Sequence, residues 1–327
     1  MDTTTKYLGL QLNSPIIAGS CGLTADVDKL EKLEQAGAGA VILKSIFEEQ
    51  IMHDIRRNTQ AVVDTDNYGI SYEYIAQHVA DDSLAKYFKL VSEAKKRLSI
   101  PVIGSINCFS YENWLTYASK FVDAGCDAIE LNMAIMATET STSADDVERT
   151  YTNIINTLRK SVSIPISIKV GPYFTDMAKS MQQLSWMGIQ GLTIFNKSMQ
   201  MDIDVDKLEV VNAPKLSNPD EKYNTLRWVA ILSKATRCDI SASTGVFTPI
   251  DVVKMLLAGA GTVQVVSSLY INGLDHMRTL NDGLKQWMAD KGYTSIDQFR
   301  GKLAVKPNDN TSLWMRTQFM KYFAEIG

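Results

Sequence analysis

Ala36-Gly37-Ala38-Gly39-Ala40-Val41 closes one helical stretch and opens an apolar strand. The phrase returns as Ala124-Gly125-Cys126-Asp127-Ala128-Ile129, as Met187-Gly188-Ile189-Gln190-Gly191-Leu192 and as Ala258-Gly259-Ala260-Gly261-Thr262-Val263. Each time a Gly stands where a helix C-cap takes a left-handed residue. A short apolar run then fits a buried parallel strand. A second phrase, Ser99-Ile100-Pro101-Val102 and Ser163-Ile164-Pro165-Ile166, uses Pro to stop a helix before the next run begins. Helix and strand alternate with no long β-only region, which predicts an α/β fold with a parallel sheet.

The recurrence predicts repeated βα units closing into a TIM (β/α)8 barrel, with its chemistry at the C-terminal strand ends. The chain has 327 residues, and such barrels take about 250 before insertions. One domain over residues 1–327 is expected, with 295–327 as a C-terminal helical extension. Tyr7 to Leu12 reads as a hairpin capping the barrel bottom. The eight strands are expected near 15–19, 40–44, 102–106, 128–132, 166–170, 192–196, 240–243 and 262–266. Helices are expected near 26–36, 84–98, 112–124, from 146, 177–187, 226–235, 249–258 and 273–291. Long loops after the second, fourth and sixth strands would lie at the C-terminal mouth; the first runs from Phe47 through Gly69. Asp202 to Val205 reads as part of a strand pair.

Hydrophobic residues make up 45% and charged residues 21%, as in ordinary globular proteins. The net charge of −4 argues against a nucleic-acid surface, which needs clustered Lys and Arg. No apolar region follows Met1 to Thr5, and no run approaches the roughly 20 residues of a membrane span, so neither signal peptide nor membrane partner is expected. Cys21, Cys108, Cys126 and Cys238 are far apart and read as reduced thiols in a cytoplasmic protein. With His53, His78 and His276 they form no metal-ligand spacing, so no metal is expected.

Polar residues stand at five strand ends: Lys44, Asn107, Asn132, Lys169 and Asn196. Two lysines and three amides suit a ligand with carbonyl acceptors and partial negative charge. The plainer reading is that some point outward or pair with Glu48, Glu49 and Glu130. Ser241-Ala242-Ser243-Thr244-Gly245 and Val266-Ser267-Ser268 precede the last two helices. Small residues there let backbone N–H groups approach a phosphate, though Ser and Thr could be simple N-caps. A phosphate at that end and lysines near the centre suggest FMN lying across the mouth.

The chain then resembles the dihydroorotate dehydrogenase family of FMN barrels over nearly its whole length. The resemblance is carried by Asn13-Ser14-Pro15-Ile16-Ile17-Ala18-Gly19-Ser20, Leu43-Lys44-Ser45, Glu130-Leu131-Asn132, Ile168-Lys169-Val170-Gly171-Pro172-Tyr173-Phe174, Ser243-Thr244-Gly245-Val246 and Leu257-Ala258-Gly259-Ala260. The soluble class 1 is the nearer likeness. Within it, Phe47-Glu48-Glu49-Gln50-Ile51, Asp202-Ile203-Asp204 and Leu226-Arg227-Trp228 look like a divergent dihydroorotate dehydrogenase-like branch. The resemblance implies FMN contacts from Lys44, Ser45, Asn132, Lys169, Gly245, Ser267 and Ser268. With Ser20, Asn107, Asn196, Ser243 and Thr244 these complete the expected cofactor set. Asn132 and Asn196 would reach the substrate, and Asp66 stands where the family has a substrate-contacting Asn. A role in pyrimidine biosynthesis follows from the same likeness.

The family's loop after the fourth strand carries a Cys or Ser base. Here the run is Asn132-Met133-Ala134-Ile135-Met136-Ala137, with Ile135 at the base position and unable to accept a proton. Thr138, Ser141 and Cys108 are the other candidate bases. Two readings follow. One is an FMN oxidoreductase passing hydride from dihydroorotate or a related dihydropyrimidine to flavin N5. The other is an FMN barrel that has lost that chemistry and acts on another substrate or through a partner protein. The resemblance implies a homodimer. No Cys cluster for an iron–sulfur centre and no Gly-x-Gly-x-x-Gly fingerprint is present, so any iron–sulfur centre would belong to a separate electron-transfer partner, and the sequence leaves the electron acceptor open. Apolar residues from Leu313 to Phe323 recur at helical spacing, fitting a helix docked on the barrel or on a second subunit.

Overall fold

In the computed structural model the helix-stop glycines Gly37, Gly125, Gly188 and Gly259 are all left-handed, with φ between +81° and +109°. Each ends a helix and releases the chain into a strand. The structure describes all residues but 64–71, 109, 198–199, 214, 307–308 and 325–327. It leaves out the side chains of 58–63, 72–82, 111, 313–314, 317–318 and 322 as well.

The barrel strands are β1 (Ile16–Ala18), β2 (Ala40–Ile42), β3 (Val102–Asn107), β4 (Ala128–Asn132), β5 (Ile166–Val170), β6 (Gly191–Ile194), β7 (Asp239–Ser243) and β8 (Thr262–Val265). All pair in parallel with their neighbours. β8 pairs with β1, and β2 pairs with β3 through Val41↔Val102, so the sheet closes. The helices are α1 (Val27–Gln35), α2 (Glu48–Val63), α3 (Tyr72–Arg97), α4 (Tyr111–Asp123), α5 (Ala144–Ser161), α6 (Met177–Trp186), α7 (Lys222–Leu232), α8 (Pro249–Ala258), α9 (Ser267–Asn272), α10 (His276–Asp290) and α11 (Thr311–Ala324). This is the expected TIM barrel.

The strands alternate. Ile129, Leu131, Ile166, Ile168, Val170, Val263 and Val265 face the helices and join the main core. Their neighbours Glu130, Ser167, Lys169, Thr193, Ser241, Thr262 and Gln264 are buried in the interior. The hairpin of Thr5–Tyr7 and Leu10–Leu12 closes the bottom, where Tyr7, Leu8 and Leu12 pack on Ile17, Ile42 and Ile103. The Leu8 amide donates to Asp239 Oδ2 at 2.8 Å, tying the hairpin to the start of β7.

One expectation needs correction. The segment after β2 is not a loop from Phe47 to Gly69. Glu48 to Val63 form α2, and α3 starts at Tyr72, well before Leu84. The stretch holds no Gly or Pro, and Glu48 and Glu49 fall in the first turn, where carboxylates suit the helix dipole. α2 and α3 then pack on each other. The last helix expected from Gly273 is α10, and a separate short helix, α9, precedes it. Gly273, with φ +83°, stands between the two.

The expected strand pair beyond β6 is the exposed antiparallel hairpin of Met201–Asp204 and Glu209–Asn212. After α10 the chain stays on the barrel: Phe299 and Ile296 are buried, and the Leu303 and Val305 amides donate to Leu257 and Ala230 carbonyls. On α11, Phe319, Met320 and Phe323 are exposed. No helix among the described residues is long and apolar enough to cross a membrane.

Close approach decides one glycine. A Cβ on Gly39 would lie 1.9 Å from the Ser14 carbonyl oxygen. Gly39→Ala is therefore expected to destabilise the barrel by about 3 kcal/mol. A shift of the urea midpoint, followed by tryptophan fluorescence, reads this; an unchanged midpoint would show that β1 and β2 can separate freely.

Candidate active site

β4, β5, β6 and β8 bring Glu130, Lys169, Thr193 and Gln264 together in the barrel interior. Lys169 Nζ donates to Gln264 Oε1 at 3.1 Å and lies 3.7 Å from Glu130 Oε1. Glu130 Oε2 accepts from Thr193 Oγ1 and from Gln264 Nε2, both at 2.7 Å. Glu130 is fully buried, and among the described residues its Oε1 has no hydrogen-bond partner, only the facing ammonium as an ion pair. Tyr7 reaches Thr193 from below at 3.4 Å. Burial, helped by the Glu130 charge, holds the Tyr7 hydroxyl well above the ordinary tyrosine range. Lys169 is thus a cation fixed at the floor of the mouth, not a mobile surface lysine.

Above it opens a cavity of about 480 Å³. Lys169, Asn196 and Gln264 line its floor. Ser243, Thr244, Gly245 and Ser267 line one end, and Ser20, Lys197, Lys215, Ser217 and Tyr270 complete the wall. Thr244 and Gly245 are both left-handed, with φ +83° and +78°. A Cβ on Gly245 would meet the Lys222 backbone nitrogen at 2.2 Å, so only Gly lets this turn pack on α7. Thr244 Oγ1 is tied to the Phe195 carbonyl, and Ser267 Oγ accepts from both the amide and the hydroxyl of Ser217 at 2.9 Å. Ser268 is buried with its Oγ unpartnered. Lys197 pairs with Glu221 at 2.6 Å.

Asn196 Nδ2 donates to Asn132 Oδ1 at 2.9 Å. Asn196 lines the first cavity and Asn132 a second, of about 300 Å³. The second is walled by Glu49, Asn107, Cys108, Trp114, Met133, Ala134, Ile135, Thr150 and Ile154. Tyr151 donates to the Met133 carbonyl, and the Ile135 amide donates back to its hydroxyl at 3.4 Å. That pair pins the short run after β4 with Ile135 against the cavity.

The expected site residues therefore divide. Ser20, Lys169, Asn196, Ser243, Thr244, Gly245 and Ser267 share the first cavity; Asn107 and Asn132 line the second. Lys44 and Ser45 line a third, of about 280 Å³, beneath α2 and α3. Lys44 Nζ contacts Gln50 Oε1 at 3.4 Å, while Ser45 bridges Ser20 and Ser105 hydroxyls at 3.0 and 2.7 Å. Thr138 and Ser141 are exposed on the loop before α5 and line none of the three. Cys108 borders the second cavity, where burial, with Glu48 and Glu49 adding to it, pushes its thiol far above the ordinary range. Asp66 lies outside the described residues. Glu130 had entered the sequence reading only as a partner for lysine, and Gln264 and Thr193 not at all. The alternation Ile166-Ser167-Ile168-Lys169-Val170 was the signal for an inward polar face.

A (β/α)8 barrel with a fixed lysine, an amide pair and a small-residue turn at one mouth defines the class of barrel that works on small molecules held at its strand ends. The model of one such family, dihydroorotate dehydrogenase, matches residues 3–288, and the chain belongs to that family. It is 28% identical over 306 residues to the dihydroorotate dehydrogenase B (NAD(+)) catalytic subunit of Thermoplasma acidophilum, covering 92% of this chain and 98% of the relative. The protein of the same name from Methanothermobacter thermautotrophicus is 26% identical over 304 residues, covering 91% and 97%.

The Lys169–Glu130 pair can be tested directly. Lys169→Met strands a buried carboxylate and is expected to cost about 3–5 kcal/mol. Adding Glu130→Met should recover most of that loss. Urea titration of both variants reads the difference; equal losses would mean that the two groups are not coupled.

Proposed function

We propose that the chain is an FMN-dependent oxidoreductase whose hydride donor is dihydroorotate or a related dihydropyrimidine. The observation that carries the reading is the first cavity, which joins a fixed cation to a small-residue turn. Family membership supports it. FMN, when bound, supplies the hydride acceptor, which no side chain can be.

The residues present fit the group. Ser243, Thr244, Gly245 and Ser267 would hold its phosphate: they are small, they turn sharply, and Ser268 keeps a buried Oγ unpartnered beside them. Lys169 would offset negative charge on the reduced ring. Its bond to Gln264 uses one of three N–H donors and Glu130 faces another, so the ammonium keeps donor capacity toward the cavity. Asn196 and Asn132, at the boundary with the second cavity, would orient a ring by its amide edges. Lys44, bonded to Gln50 in the third cavity, would have to swing across to join them.

Ile135 favours a second reading within this frame, in which the substrate is not dihydroorotate. An alkyl group cannot take the proton that leaves the substrate carbon. Thr138 and Ser141 would have to swing inward to replace it. Cys108 already borders the cavity, but its raised thiol leaves little thiolate near neutral pH. The relatives named as catalytic subunits support a separate partner for re-oxidation.

An anaerobic visible spectrum of purified protein, before and after dihydroorotate, tests both readings. Flavin bands that bleach are expected if the family reaction is retained. Bands that persist keep the cofactor and discard dihydroorotate. No bands after incubation with FMN would overturn the oxidoreductase reading. Ser267→Asp places a carboxylate at the proposed phosphate end. It should weaken FMN binding by about tenfold to a hundredfold, with the far-ultraviolet dichroism unchanged.

A further inference from the structure

The two neighbouring cavities carry opposite charge. Lys169, Lys197 and Lys215 line the first. Among the described residues the second has no Lys, Arg or His on its wall, and its single charged lining residue is Glu49. Beside it sits Glu48, a buried carboxylate that accepts from the Ser110 amide at 2.9 Å and from Asn113 Nδ2 at 2.8 Å. Lys44 is turned away, with its ammonium on Gln50 and its side chain on the third cavity. Among residues whose side chains lie outside the description, His78 alone could carry positive charge.

The rest of the wall is of two kinds. Trp114, Met133, Ile135 and Ile154 are apolar, with Ile135 held in place through Tyr151. Asn107 and Asn132 bring carboxamides that both donate and accept, matching the N–H and C=O edge of a lactam or imide. A carboxylate entering this space would lose water, gain no cation and face two glutamates.

We infer that the second cavity selects an uncharged or cationic ring amide and rejects a ring bearing a carboxylate. The inference rests on the oxidoreductase reading for the ring class alone; the charge preference follows from the wall. The rise of the Cys108 thiol agrees, since after burial its causes are Glu48 and Glu49.

Uracil and orotate are the probes, because they differ by one carboxylate. Calorimetric titration of the full chain, with and without added FMN, should give uracil at least about tenfold tighter binding than orotate near pH 7. Glu49→Gln, at an exposed position, should narrow the ratio about threefold by strengthening orotate and leaving uracil unchanged. Orotate binding as tightly as uracil would overturn the inference. So would an unchanged ratio in Glu49→Gln, or neither probe binding more tightly than about 1 mM. FMN uptake with an orotate preference would sink the inference and keep the oxidoreductase. No FMN uptake with a uracil preference would do the reverse.

Discussion

The ammonium of Lys169 and the carboxylate of Glu130 are buried together inside the barrel, 3.7 Å apart. Taking two charges out of water is costly, and the cost is offset by their attraction and by Gln264 and Thr193, which bond Lys169 Nζ and Glu130 Oε2. Those partners come from β4, β5, β6 and β8. A slip of one residue in any of these strands would turn its polar member outward and strand a charge. The register Asn132↔Lys169 on one side and Ser243↔Gln264 on the other is therefore bound to the chemistry of the interior. The same network places a cation where the mouth begins.

From that floor the mouth splits at the Asn196–Asn132 contact. On one side lie small residues, sharp turns and lysines. On the other lie aromatic and aliphatic groups with carboxylates behind them. The asymmetry comes from the loops. The small-residue turns follow β7 and β8, whereas the acidic side comes from α2, inserted after β2. A closed barrel carries such insertions at little cost, because its stability resides in the strands and the helices packed around them.

Family membership and local divergence are thus compatible. The interior and the β7–β8 end keep the features through which the chain resembles dihydroorotate dehydrogenases. The run after β4 and the helix after β2 line the second cavity, through Ile135 and Glu49. Fold does not fix substrate; the residues grafted onto the strand ends do. Ile135 is the sharpest case, an alkyl side chain on the wall of the second cavity that cannot take up a proton.

The glycine phrases at Gly37, Gly125, Gly188 and Gly259 determined the βα repeat from sequence alone, since a left-handed stop before an apolar run is a local property of the chain. The strand ends and the Ser243–Gly245 and Ser267–Ser268 turns were legible for the same reason: position within a repeat fixes which end of a strand they occupy. The helix from Glu48 was not, because its apolar residues are few and it is completed by packing on α3. Nor was the fate of the two lysines. Lys44 and Lys169 look alike at their strand ends, yet one meets Gln50 beneath a helix pair and the other meets Glu130 and Gln264 inside the barrel. Only closure of the sheet brings β4, β5 and β8 face to face, and contacts between residues 95 and 134 positions apart in sequence leave no periodic trace in the chain.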